Sequence, residues 1–164
     1  MASYAYPGCG YGGYCLPKDT NALYAVTKRA GFDAEILKNV IRTNDNMPQF
    51  IVSRILKTVN NDTNVKIGIL GLSFKPESDD VRDAPSAKII RGLNASGCKA
   101  IIGYDPVAND EFAKHYPNLQ MQTVDTYAEL LKNADVLVIA TAWKEFADVK
   151  ERTEKPVVDC RYML

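Results

Sequence analysis

"VKIGILGLSFKP", Val65 to Pro76, is the stretch whose reading decides the fold. Its first eight residues are short, apolar and β-branched, the composition of a strand buried on both faces of a parallel sheet. Toward the C-terminus, helical and strand patterns alternate from it. "APSAKIIRGLNASG" (84–97) reads as a helix stopped by Gly97, and "KAIIGYDP" (99–106) as a strand ended by Asp105-Pro106. A short helix "NDEFAKHY" (109–116), a weaker strand "LQMQTV" (119–124) and a helix "TYAELLKNA" (126–134) follow. "DVLVIAT" (135–141) is a strong strand, "KEFADVKERT" (144–153) a helix and "KPVVDC" (155–160) a last strand. Strands alternating with helices make βαβ units, hence an α/β domain whose parallel sheet is covered on both faces.

Toward the N-terminus the pattern changes. "NNDTN" (60–64) is a polar loop and the expected boundary between residues 1–60 and 65–164. Before it, Ile36, Leu37, Val40, Ile41, Met47, Ile51 and Ile55 keep mostly helical spacing, with Asp33 as the expected cap and Glu35 in the first turn. Pro48 removes a backbone donor and crowds the preceding turn, so a kink or break is expected near Asn44–Met47. Asn44 itself falls on the apolar stripe, where a polar side chain needs a partner. An earlier helix, "TNALYAVTKRA" (20–30), is expected to be capped by Asp19 or Thr20 and to stop at Gly31. Residues 1–19 are rich in Gly, Pro and Tyr and read as a loop.

Bulk properties narrow the function. The 164 residues are 46% hydrophobic and 24% charged with zero formal net charge, as in a globular protein with no basic face for nucleic acid. No apolar run approaches the roughly 18 residues of a membrane span, and the first residues lack the charged and apolar regions of a signal peptide. Cysteines at 9, 15, 98 and 160 form no C-x-x-C pair, and with one histidine, His115, they do not suggest a metal site. Free thiols in a reducing cytoplasm are the expectation.

"GCGYGGYC", Gly8 to Cys15, has the spacing of the dinucleotide fingerprint at Gly8, Gly10 and Gly13. That fingerprint requires a strand immediately before it. Only seven residues precede it, Pro7 among them, so the fingerprint reading fails. After the first clear strand, Gly68 and Gly71 do not supply the three-glycine spacing either. Cys15 remains. It follows a glycine run that lets backbone approach a ligand, with Lys18 and Asp19 three and four residues on. A helix N-terminus and a lysine both favour a thiolate, and a carboxylate orients or deprotonates a water. Nucleophile, cation and base within five residues make a covalent-catalysis site; a buried structural thiol is the other reading of the same residues.

These motifs carry a resemblance. "GYGGYCLPKDT" (10–20) resembles the active-site cysteine segment of the UDP-glucose/GDP-mannose dehydrogenase family. "GLSFKPESDDVRDAPS" (71–86) is similar to its second signature, and "TAWKEF" (141–146) and "VVDCRYML" (157–164) to its C-terminal segments. The matches fall in order across nearly the whole chain, which resembles the C-terminal portion of such an enzyme. The resemblance implies a helical segment with a long dimerisation-type helix, then a Rossmann-like domain that binds a nucleotide sugar. It implies NAD as cofactor, a UDP-sugar as substrate and a homodimer through the long helix. The family oxidises the sugar C6 alcohol to a carboxylate through a cysteine thiohemiacetal and thioester. Cys15 aligns with the nucleophile, Asp19 with the aspartate linked to water activation, and Lys18 and Arg82 with cofactor contacts. Tyr6, Gly10, Tyr11, Gly12, Lys75 and Arg161 align with substrate contacts, the loop from Tyr6 to Gly12 wrapping the sugar nucleotide with backbone groups. UDP-glucose is the first substrate reading; GDP-mannose, N-acetylated UDP-sugars and a non-catalytic nucleotide-binding or dimerisation module are the alternatives. Cys9 and Cys160 depart from the family pattern, with Cys160 standing where glycine is common. Cys98 reads as packing, His115 as a surface residue, and Trp143 as either a ligand stack or core packing.

Overall fold

A computed structural model describes residues 6–164; the first five residues of the expected N-terminal loop lie outside the described residues. Two helices come first, α1 (Cys15–Arg29) and α2 (Glu35–Thr58). Strands and helices then alternate: β1 (Ile67–Leu70), α3 (Pro85–Ala95), β2 (Ile101–Tyr104), α4 (Asn109–His115), β3 (Gln122–Thr123), α5 (Tyr127–Asn133), β4 (Val136–Ile139), α6 (Val149–Arg152) and β5 (Val157–Asp159). The strands form one parallel sheet in the order β3-β2-β1-β4-β5, Ile67 pairing with Ile101 on one side and Val136 on the other. The chain changes direction across the sheet at β1, so the crevice at the carboxyl ends of β1 and β4 is where such a sheet takes a ligand.

The strand alternation sorts the core into two layers. Ile67 and Ile69 of β1, with Val136 and Val138 of β4, face Ile51, Val52 and Ile55 of α2 and Ile89, Ile90 and Leu93 of α3. Leu70, Leu137 and Ile139 face the other way, onto Leu130 of α5 with Phe146 and Val149. The doubly covered α/β sheet expected from the sequence is therefore the fold.

Four local expectations are corrected. First, α1 begins at Cys15, so Asp19 and Thr20 lie inside the helix; the Thr20 hydroxyl donates back to the Leu16 carbonyl at 2.8 Å. Pro17 sits in the first turn, where a missing N–H costs nothing because that N–H has no intrahelical acceptor. The stop at Gly31 holds, with the Phe32 N–H donating to the Thr27 carbonyl at 2.9 Å and the Gly31 N–H to Lys28 at 3.2 Å. Second, α2 is capped by Ala34 with no side-chain bond, not by Asp33. Third, α2 runs unbroken through Pro48. Its ends are fixed elsewhere: Ile51, Val52 and Ile55 are locked in the core, and Asn44, one turn before the proline, is tied to another segment. Fourth, residues 144–153 split into a 3-10 turn, Lys144–Phe146, and the single turn α6. Phe146 and Val149 both reach into the core at a spacing of three, which a tight turn provides.

Candidate active site

Two loops converge beyond the carboxyl edge of the sheet. The first leaves β1. Its Leu72 and Ser73 N–H groups donate to Asp105 Oδ2 at 2.8 and 3.0 Å, and the Trp143 indole donates to the same oxygen at 3.1 Å. Asp105 Oδ1 accepts the Val107 and Ala108 N–H groups, each at 3.1 Å. This carboxylate is 1% exposed. Both of its oxygens accept hydrogen bonds, so neither is left unsatisfied by burial. In the sequence Asp105 reads only as a strand terminator and Trp143 as either a ligand stack or core packing; an Asp-Pro at the carboxyl end of a strand is the one available signal for this hub.

Past the hub, the loop presents Phe74 and Lys75, the Lys75 ammonium lying 5.5 Å from the Phe74 ring centre. The loop closes with the Phe74 N–H donating to the Asp80 carbonyl at 3.0 Å. Arg82 is held in two-pronged fashion by the Asp80 carboxylate, at 2.9 and 2.7 Å, with its guanidinium 4.8 Å from the Tyr14 ring centre. The Arg82 guanidinium in turn holds the Asp80 carboxyl below the usual carboxylate range.

The second loop is the glycine run, pinned at three points. The buried Cys9 thiol donates to the Ala140 carbonyl just past β4 at 3.3 Å. Tyr11 gives its N–H to Asn44 Oδ1 at 2.7 Å and takes the Asn44 amide N–H at 3.2 Å. Gly13 donates to the Arg82 carbonyl at 2.9 Å. A side chain at Gly12 would put its Cβ 2.3 Å from the Asp83 carbonyl oxygen, so glycine here permits contact between the two loops. Tyr11 thus has its main-chain groups bonded to Asn44, and Gly12 lies against Asp83.

Cys15 follows as the first residue of α1, exposed, while Cys9, Cys98 and Cys160 are buried. A cavity of about 430 Å³ brings Cys15 together with Gly12, Tyr11, Lys75, Arg82 and Arg161. A second, of about 750 Å³, is bounded by Tyr6, Gly10, Asn44 and again Tyr11 and Arg161. Gly10, Tyr11 and Arg161 border both cavities. Arg161 is not the solvated tail residue its position near the C-terminus allows: its guanidinium lies against Gly8 and its N–H donates to Asp159 at 2.8 Å. Lys18 and Asp19 are not in the cavity wall; they pair with each other on exposed α1, and Asp19 holds the Lys18 ammonium above its usual range. Asp19 nevertheless follows Cys15 by four residues of helix, which places both on one face. Burial pushes the Cys160 thiol up to about 12 and raises Cys9 and Cys98 as well, which suits packing residues. His115 is exposed on α4.

The assembly is a Rossmann-like unit with a helix-end cysteine set beside three cationic side chains at its ligand crevice. Comparison with known proteins is specific about which such unit it is. Residues 68–164 match the UDP-binding domain of the UDP-glucose/GDP-mannose dehydrogenase family and residues 1–46 that family's central domain. This chain belongs to that family. It is 41% identical over 144 residues to the UDP-glucose 6-dehydrogenase YwqF of Bacillus subtilis, covering 88% of this chain and 32% of that protein. It is 33% identical over 158 residues to AglM of Haloferax volcanii, also a UDP-glucose 6-dehydrogenase, covering 94% and 36%. Among solved structures, a UDP-glucose dehydrogenase from Pyrobaculum islandicum superposes with a TM-score of 0.88 at 32% identity over 95% of this chain and 35% of that one. A GDP-mannose dehydrogenase from Pseudomonas aeruginosa gives 0.86 at 27% over 100% and 39%. The chain thus spans about a third of the length of the relatives it matches. Among the described residues, no helix is long and apolar enough to cross a membrane.

Proposed function

We propose that this chain is the nucleophile-bearing, nucleotide-sugar-binding portion of an NAD-dependent nucleotide-sugar 6-dehydrogenase, with UDP-glucose as substrate and UDP-glucuronate as product. The observation that carries the reading is the exposed Cys15 at a helix N-terminus, in one cavity with Lys75, Arg82 and Arg161. Three cations in one small cavity suit a diphosphate, and the two cavities with a common border suit a ligand with a nucleotide end and a sugar end.

The chemistry assigned to the chain's own residues is short. The Cys15 sulfur adds to the C6 aldehyde carbon of the sugar, forming a C–S bond as the carbonyl oxygen takes a proton, and so retains the half-oxidised sugar. After oxidation of that adduct to the thioester, water attacks the acyl carbon, the C–S bond breaks and the thiol is restored with the carboxylate product. Asp19, on the Cys15 face of α1, orients that water. Lys75 and Arg161 hold the diphosphate. NAD supplies the hydride acceptor for both oxidations. The residues fit it at one edge only: Arg82, anchored by Asp80 and exposed at the cavity mouth, suits the cofactor pyrophosphate, with Lys18 nearby on α1. The glycine loop packs on Asp83. Pairing through α2, whose Phe50 is 59% exposed, is the proposed dimer contact.

The test is NADH production from UDP-glucose when this chain is joined to an NAD-binding domain of the same family. Cys15→Ala and Cys15→Ser should each cut turnover by at least about 10³-fold, as removal of a nucleophile does. Undiminished turnover in either variant removes Cys15 from the mechanism. Running GDP-mannose and UDP-N-acetylmannosamine beside UDP-glucose decides the substrate.

A further inference from the structure

Asn44 belongs to neither family signature, yet its environment is unusual for a residue halfway along an amphipathic helix. It is 8% exposed, and both ends of its amide are used on one residue. Oδ1 accepts the Tyr11 N–H at 2.7 Å and Nδ2 donates to the Tyr11 carbonyl at 3.2 Å. A side-chain amide facing a main-chain amide in this way matches donor to acceptor at both positions, which no other side chain of that size does. The residue so fixed borders both cavities. Tyr11 and its neighbour Gly10 stand beside the 750 Å³ space bounded by Asn44 and beside the 430 Å³ space that contains Cys15.

We propose that Asn44 is a positioning residue for the nucleotide-sugar site: by gripping Tyr11 front and back it sets the border between the two cavities, and so the register in which a nucleotide sugar lies relative to Cys15. This rests on the reading of the cavities as a nucleotide-sugar site. Asn44 touches no substrate in this account; it acts through Tyr11. Its location also makes α2 the support of the glycine loop. The helix half that follows is held by Ile51, Val52 and Ile55 in the core, so the grip transmits the rigidity of the sheet to a loop otherwise anchored by the buried Cys9 and the Gly13–Arg82 hydrogen bond.

The test is calorimetric titration of this chain with UDP-glucose, with melting temperatures measured in parallel. Asn44→Ala, which deletes both bonds, should weaken binding at least tenfold at a temperature where the variant is folded. Leu130→Ala, which opens the core on the face of the sheet opposite α2 without touching the loop, should lower the melting temperature and leave affinity within twofold of wild type. Asn44→Asp is the sharper variant. At pH 7.5 the new carboxylate still accepts from the Tyr11 N–H but faces the Tyr11 carbonyl without a proton to give, and affinity should fall as with alanine. Near pH 5 a buried carboxyl regains its proton and with it the second bond, so affinity should recover toward the wild-type value measured at the same pH. Tyr6, Tyr11, Glu35 and Arg161 are the titratable groups bordering the same cavity, so the wild-type titration at both pH values is the reference. If Asn44→Ala and Asn44→Asp bind within twofold of wild type at both pH values, the inference is overturned alone. If wild type does not bind UDP-glucose, the nucleotide-sugar reading and this inference fall together.

Discussion

Helices α1 and α3 carry the two sides of the candidate site, and they are held in opposite ways. Six of the eleven residues of α3 are buried, whereas none of the fifteen in α1 is. The Lys75–Arg82 loop therefore runs between a central strand and a helix rooted in the core. The cysteine is mounted on a helix that turns Leu16, Leu23 and Val26 to solvent and is fastened mainly through the loop before it. Apolar burial fixes the cations; hydrogen bonds from Cys9, Tyr11 and Gly13 fix the nucleophile. Stability and site geometry should consequently separate under mutation.

The largest effect belongs to the buried side. Ile90 is fully buried between α3 and the sheet, so Ile90→Ala should cost about 2–5 kcal/mol in urea unfolding, the range for deleting a core aliphatic side chain. A loss below about 1 kcal/mol would mean that α3 does not anchor the cation loop as described. Next comes the contact between the two sides. Gly12→Ala drives a Cβ into the Asp83 carbonyl and should cost about 1–3 kcal/mol, the usual penalty of overpacking. Unlike Ile90→Ala, it should also change the rate at which iodoacetamide alkylates Cys15, read by peptide mass spectrometry on folded protein. An unaltered rate would show that the loop contact does not position the cysteine.

The same contrast explains what the sequence disclosed. Strand identity in "VKIGILGL" and "DVLVIAT" was legible because apolar, β-branched runs of that length have few other uses. Cys15, Lys75, Arg82 and Arg161 are singled out through the resemblance of their motifs to the dehydrogenase family, and they border one cavity. What escaped was non-local. Asp105 looks like any turn aspartate until the fold brings Leu72, Ser73 and Trp143 to it. Pro48 predicted a break by a local rule, and packing on both sides of it overrode the rule. The start of α1, which the capping rule places after Asp19 or Thr20, falls at Cys15, because this helix begins without a side-chain cap.

Buried thiols give a smaller, pH-dependent reading of the comparison. Cys160 titrates near 12 in the folded state because burial disfavours its thiolate, against an unfolded value of about 8.5. A folded value above the unfolded one means that the contribution to stability is complete below pH 8.5 and declines as pH rises from there toward 12, by at most about 1.4 kcal/mol per pH unit. Tyr104 and Tyr127, also pushed up to about 12 by burial, add to the decline above about pH 10. Urea midpoints between pH 7 and 11 should be flat and then fall, and Cys160→Ala should fall less steeply than wild type between pH 8.5 and 10. Parallel curves would deny Cys160 its part in the decline.

The smallest effect should come from α1 itself. Leu23 is 56% exposed and borders only a shallow apolar cavity with Phe32, Ile36 and Val40. Replacing it with alanine removes little burial and gains helix propensity, so Leu23→Ala in this chain should shift stability by no more than about 0.5 kcal/mol. The same substitution should leave Cys15 alkylation unchanged, since the loop bonds that hold the cysteine do not pass through Leu23. In a longer protein, where α1 meets a further domain or a second copy of the chain, Leu23→Ala should cost more, because an apolar side chain covered by a partner loses contacts that solvent never supplied. Measuring the substitution in both contexts compares the two helices directly: α3 draws its stability from this chain's own core, and α1 gains its share only when that apolar surface is covered. Equal effects in the short chain and the longer protein would show that nothing covers the Leu23 face, and that α1 is held by the glycine loop alone.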